Sequence, residues 1–99
     1  MGKLLNAYRV GQVVISKRGK DVGRAYVIVG FLGEDKLALA DGMKFNVDRP
    51  KHKNPKHVQA TSQVVAEVAA WVESGKNIDR GELCRILPRL KGTLDVKDA

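Results

Sequence analysis

Residues 13–29 read VVISKRGKDVGRAYVIV, two β-branched runs separated by a cationic stretch with two glycines. Val13, Val14 and Ile15 on one side, and Tyr26, Val27, Ile28 and Val29 on the other, favour extended backbone, and each run is of strand length. Between them Lys17, Arg18, Lys20 and Arg24 surround Gly19 and Gly23, with Asp21 the one acid. The stretch therefore reads as two strands joined by a basic loop whose glycines let the backbone turn tightly and approach a ligand closely.

Working outward, VGQVVIS (10–16) is the first strand and RAYVIVGFL (24–32) the second. The second is apolar at successive positions, which predicts cover on both faces, and Gly30 inside it marks a bulge or sharp bend. GEDK (33–36) is a turn, and LALA then leads to Asp41-Gly42, a two-residue hairpin signal. Met43, Phe45 and Val47 alternate with polar residues as a strand would. RPKHKNPKH (49–57) carries two prolines and cannot be an interior strand, whereas VQA (58–60) suits a closing one.

Helical spacing begins beyond this point. Thr61 or Ser62 is the expected N-cap of a helix with Val64, Val65, Val68, Trp71 and Val72 on one face, closed by Gly75. A second helix opens at Asp79, with Glu82 completing a capping-box pair and Leu83, Ile86, Leu87 and Leu90 forming its stripe until Pro88 interrupts it. The expected class is mainly β with α: a small β-barrel over 1–61, a helical appendage of two short helices packed on it over 62–92, and a frayed tail over 93–99.

The net charge of +7 lies on one part of the chain. Residues 1–60 hold twelve Lys or Arg against five acids, while residues 61–99 hold six of each. Segregated charge of this kind points to a polyanionic partner, most often nucleic acid, although charge alone does not separate RNA from DNA. No apolar run has the length of a membrane span, no signal peptide is evident at the N-terminus, and the lone Cys84 excludes an internal disulfide framework, so a cytoplasmic location is expected.

Catalytic and metal motifs are absent. Gly19 to Gly23 lacks the Lys-Ser/Thr end of a phosphate-binding P-loop, His52 and His57 share a loop without further ligands, and Cys84 sits among leucines as a small hydrophobe. No enzyme activity, metal or cofactor is expected. Trp71, Phe31 and Phe45 read as core, and Tyr8 and Tyr26 as buried rings with wet hydroxyls, which leaves few platforms for base stacking. Arg49, Lys51, Lys53 and Lys56 form a second basic segment on a loop stiffened by Pro50 and Pro55. Two such segments with few acids suit phosphate oxygens.

The stretch GQVVISKRGKDVGRAYVIVGFLGEDKLALADG resembles the KOW motif, and within it the large-subunit ribosomal proteins of the 14e/6e/27e group. VDRPKHKNPKHVQAT is similar to the segment closing the domain in that group, so the resemblance covers roughly residues 9–61, and the whole chain looks most like small bacterial KOW-domain relatives. The resemblance implies an SH3-like barrel and RNA contact through the first basic loop, with Gly23 matching the motif's central glycine. Carried over, Lys17, Arg18, Gly19, Lys20, Gly23 and Arg24 form the RNA-binding loop, and Arg49, Lys51, Lys53 and Lys56 add to it. The expected function is binding of structured, ribosomal-type RNA by a protein that is ribosome-associated or accessory to translation and monomeric when free. The alternative is a protein-interaction module of the transcription or translation machinery. The chain lacks the long basic extension of the ribosomal members, which favours an accessory role as much as a constitutive one.

Overall fold

A computed structural model describes residues 8–41 and 44–75. Five strands form one antiparallel sheet: β1 (Gln12–Ser16), β2 (Ala25–Leu32), β3 (Lys36–Ala40), β4 (Lys51–Lys53) and β5 (Val58–Val64). A 3-10 turn, Pro55–His57, joins β4 to β5, and one helix, α1 (Ala66–Glu73), follows. The order across the sheet is β4-β3-β2-β1-β5, so the first four strands form a meander and the fifth returns to pair with the first.

The near-continuous apolar runs have the predicted consequence: the sheet is covered on both faces. Val13, Ile15, Val27, Val29, Ala38 and Ala40 point to one side, where Val65 and Val68 of the helical segment complete a cluster edged by Trp71 and Val72. Val14, Tyr26, Ile28, Leu37 and Leu39 point to the other and pack with Val58, while Tyr8 and Phe45 lie against them. Phe31 falls outside both groups: beyond the bulge it is 39% exposed, contrary to its reading as core.

Two irregularities bend the sheet. Ile28 faces Leu39 and Gly30 faces Ala38, so Val29 is the extra residue of the bulge expected at Gly30. Along β1 and β5 the register shifts between Gln12, opposite Val64, and Val14, opposite Ala60. Side chains meet the backbone groups this shift opens: Gln12 Nε2 donates to the Thr61 carbonyl at 2.8 Å, and Thr61 Oγ1 to the Val13 carbonyl at 2.6 Å.

That last bond overturns the expected N-cap. Thr61 is buried inside β5, the strand runs on to Val64, and the helix is capped from Val65 with no side-chain bond. The C-terminal end agrees with expectation, since the Gly75 N–H bonds to the Val72 carbonyl just past the helix. The second helix expected from Asp79, and the tail, lie outside the described residues.

The β3–β4 connection also differs from its reading. Phe45 and Val47 are not in a strand; Asn46 and Arg49 form an isolated bridge around a tight turn. Asp41 is responsible, because its Oδ1 accepts from the Lys44 and Phe45 amides at 3.0 and 3.1 Å and offers them a local alternative to a ladder. Strand pairing resumes only at Lys51–Lys53, a three-residue edge strand between Pro50 and Pro55. The segment read as a loop is thus an edge strand and a 3-10 turn, positions that tolerate flanking prolines.

Gly11 sets where the helical segment meets the sheet. Its N–H donates to the Ile28 carbonyl and its carbonyl accepts from the Val65 amide, both at 2.7 Å. Its φ is +93°, and a Cβ there would stand 2.6 Å from the Val65 oxygen. Gly11→Ala is expected to destabilise the fold by at least about 2 kcal/mol, from left-handed backbone cost plus the displaced Val65 segment, read as a lowered midpoint in urea unfolding; an unchanged midpoint would contradict this packing.

Candidate nucleic-acid interface

The basic loop is closed at its neck by two backbone bonds: Ser16 N–H to the Arg24 carbonyl at 2.9 Å and Gly23 N–H to the Ser16 carbonyl at 2.8 Å. Inside the neck, Arg24 N–H bonds to the Asp21 carbonyl at 2.9 Å and Val22 N–H to the Gly19 carbonyl at 3.4 Å. Val22, Gly23 and Arg24 therefore spend their amides within the loop instead of presenting them outward. Gly23 has φ +91° and open space where a Cβ would go, so its requirement is conformational and not steric.

Asp21 is folded into the base of this loop. Its Oδ2 accepts from the Tyr26 hydroxyl at 2.7 Å, and its Oδ1 accepts from Lys53 Nζ at 2.9 Å. The Ser16 hydroxyl lies 2.8 Å from Oδ1 and 3.0 Å from the Arg18 carbonyl, one proton between two acceptors. Lys53 Nζ also donates to the Arg18 carbonyl at 3.0 Å, and Lys51 Nζ stands 3.9 Å from Oδ2. The Asp21 and Lys53 side chains are 14% and 10% exposed.

Burial by itself would raise the Asp21 pKa, but hydrogen bonds from Tyr26, Lys53 and Ser16 and the Lys53 charge outweigh it and hold the carboxyl well below the usual carboxylate range. Burial and the bond to Asp21 push the Tyr26 phenol well above its ordinary value. The hydroxyl read as wet is instead a buried donor.

The structure places the predicted site residues in two groups. Lys17, Arg18 and Lys20 are exposed on the loop with Gly19, and Arg24 is exposed at its neck, its guanidinium 4.0 Å from Asp41. Lys56 is exposed on the 3-10 turn, which Asn54 caps by accepting from the Lys56 amide at 2.9 Å. The Lys17 amide donates to the His57 carbonyl at 2.9 Å, which seats that turn beside the loop. Arg49 is exposed in the β3–β4 connection. Lys51 and Lys53, by contrast, project from the edge strand onto Asp21, and Lys51 also lies 5.1 Å from the centre of the Phe45 ring.

Sequence reasoning noticed Asp21 only as a lone acid and missed its role. The one local signal was its solitude among four cations, and that alone does not turn it inward, since burying a carboxylate is unfavourable until the Ser16, Tyr26 and Lys53 donors converge on it. Lys44, exposed and 5.8 Å from the Phe45 ring, is a further cation the reading passed over. Among the described residues no group of three His, Cys, Asp or Glu could hold a metal, and no helix is long and apolar enough to cross a membrane. No protein-family model matches the chain, and no curated protein is significantly similar to it.

Asp21→Asn is expected to cost about 2–3 kcal/mol at neutral pH, the scale of charge-assisted hydrogen bonds lost from a mostly buried site. Because the folded pKa is depressed, this stabilisation is complete above the unfolded carboxyl's pKa and is lost as pH falls towards the folded one. The gap between wild type and variant in urea titrations should therefore hold steady near neutrality and narrow below about pH 4; a gap that widens in acid would contradict the assignment. For Tyr26 the raised pKa has the opposite sense, so its contribution is complete at neutrality and lost above about pH 10. Tyr26→Phe should remove that alkaline loss in the same titration.

Proposed function

We propose that this chain is a non-enzymatic RNA-binding protein of KOW type that grips structured RNA, ribosomal RNA foremost, through phosphate contacts and shape. The carrying observation is the gathering of exposed cations around one locked loop. Lys17, Arg18 and Lys20 extend from it, Lys56 is seated beside it by the Lys17–His57 bond, and the acid in their midst is turned inward and consumed. Such a surface offers positive charge to a polyanion without an opposing carboxylate at the tip. Arg24 adds its charge at the neck of the loop, and Arg49 is exposed in the β3–β4 connection.

The fold supports the SH3-like barrel that the resemblance implies. A meander whose fifth strand returns to the first, and whose edge strand reaches back to the β1–β2 loop through Lys53, supports a sheet that curls towards closure. In a flat sheet β4 would lie roughly 10–14 Å from β2 and β1. Among the described aromatic residues Tyr26 is buried, Trp71 packs against the core and Phe31 alone is exposed, which supports recognition of backbone and shape over stacking of successive bases. An accessory place in translation, with the ribosome or its RNA as partner, follows from this reading.

Replacing Lys17, Arg18 and Lys20 together by Glu is expected to abolish binding to a structured RNA in a filter-binding titration while the circular dichroism spectrum persists. For the wild type, log affinity should fall with log salt at a slope of about −3 to −5, as for roughly five neutralised phosphates. Unchanged affinity in the triple variant would overturn the loop assignment, and equal competition by DNA of the same length would overturn the preference for RNA.

A further inference from the structure

We propose that Asp21 and Lys53 are positioning residues of the polyanion-binding face: the carboxylate, of the wrong charge for such a ligand, strengthens its binding by fixing the loop that presents the cations. The inference rests on the RNA reading for its ligand and on the geometry of the joint for its mechanism.

Simple electrostatics assigns the two residues opposite parts. Lys53, in a cationic segment, would contact phosphate, and Asp21, an acid on a basic surface, would weaken binding. The geometry opposes both assignments. Lys53 Nζ is bonded to Asp21 Oδ1 at 2.9 Å and to the Arg18 carbonyl at 3.0 Å, with its side chain almost wholly covered, so two of its three donors and most of its charge are spent inside the protein. Gly19 lies directly against this pair, since a Cβ on it would stand 3.4 Å from Asp21 Oδ1 and 3.6 Å from Lys53 Nζ. Asp21 is equally committed, to Ser16, Tyr26 and Lys53.

Together these bonds tie the loop to three strands. Ser16 ends β1, Tyr26 is in β2 and Lys53 in β4, while the carbonyl that Lys53 holds belongs to Arg18, one of the exposed cations. Lys17, Arg18 and Lys20 would otherwise repel one another on a flexible connection, and an anion binding them would have to order the loop as it bound. A preformed loop avoids ordering its backbone on binding, and removing even one such ordering cost is worth about threefold to tenfold in affinity.

The test uses the intact chain and an RNA hairpin, with anisotropy titrations over a series of salt concentrations and amide hydrogen exchange on the free protein. Asp21→Asn raises the net charge by one yet is expected to weaken binding about threefold to tenfold. Lys53→Met should weaken it similarly, with the salt slope unchanged, whereas Arg18→Ala should reduce the magnitude of the slope by about one. Exchange at the bonded loop amides of Val22, Gly23 and Arg24 should accelerate by at least about tenfold in Asp21→Asn and Lys53→Met, with the amides of β2 unchanged. Tyr26→Phe, which loosens the carboxylate with no change of charge, provides the same comparison should Asp21→Asn fail to fold. Tighter binding in Asp21→Asn, or a slope in Lys53→Met that drops by about one with loop exchange unchanged, would overturn the proposal. A wild type that binds no RNA would overturn the proposed function, while the exchange data would still decide whether Asp21 and Lys53 hold the loop.

Discussion

The Asp21 carboxylate is the point on which the basic face depends. It collects a hydroxyl from the end of β1, a phenol from β2 and an ammonium from β4, and through Lys53 it fixes the Arg18 carbonyl as well. Removing a carboxylate from water is unfavourable, and the cost is offset only where several donors converge, at least one of them charged. Here both conditions hold. The same bonds prevent a loop bearing Lys17, Arg18, Lys20 and Arg24 from spreading under its own repulsion, so an interaction internal to the protein determines the shape of the surface offered outward.

What allows so short a chain to hold this joint is a sheet buried on both faces. Val13, Val27 and Val29 pack beneath α1, and Val14, Ile28, Leu37 and Leu39 fill the opposite side. Tyr26 belongs to both descriptions, with its ring in the second cluster and its hydroxyl at the rim on Asp21. Core and loop are therefore mechanically one object. The exposed cations of the candidate site lie on connections, as binding residues usually do, but on connections whose roots are in the core.

Much of this was legible in local pattern. The apolar runs of β1 to β3, the bulge at Gly30, the turn before Lys36 and the end of α1 at Gly75 follow from residue types and short-range spacing. What was not legible depends on partners distant in sequence. Thr61 reads as a helix cap until the Val13 carbonyl, forty-eight residues away, claims its hydroxyl. Val64 fits a helical stripe by spacing, yet its backbone pairs with Gln12 in the sheet. Lys53 reads as one more surface cation, and only the folded chain brings it from the edge strand to Asp21, thirty-two residues earlier. The candidate site was thus legible as a charge distribution, while the division between cations that point outward and those that hold the loop needed the fold.

The central claim is that Asp21 and Lys53 act on each other and not merely beside each other. A double-mutant cycle on unfolding free energy, with Asp21→Asn, Lys53→Met and the two combined, measures that directly. The account predicts a coupling of about 1–3 kcal/mol, so that the second substitution costs much less once the first is made. Additive costs, with coupling near zero, would show that the joint does not hold the loop.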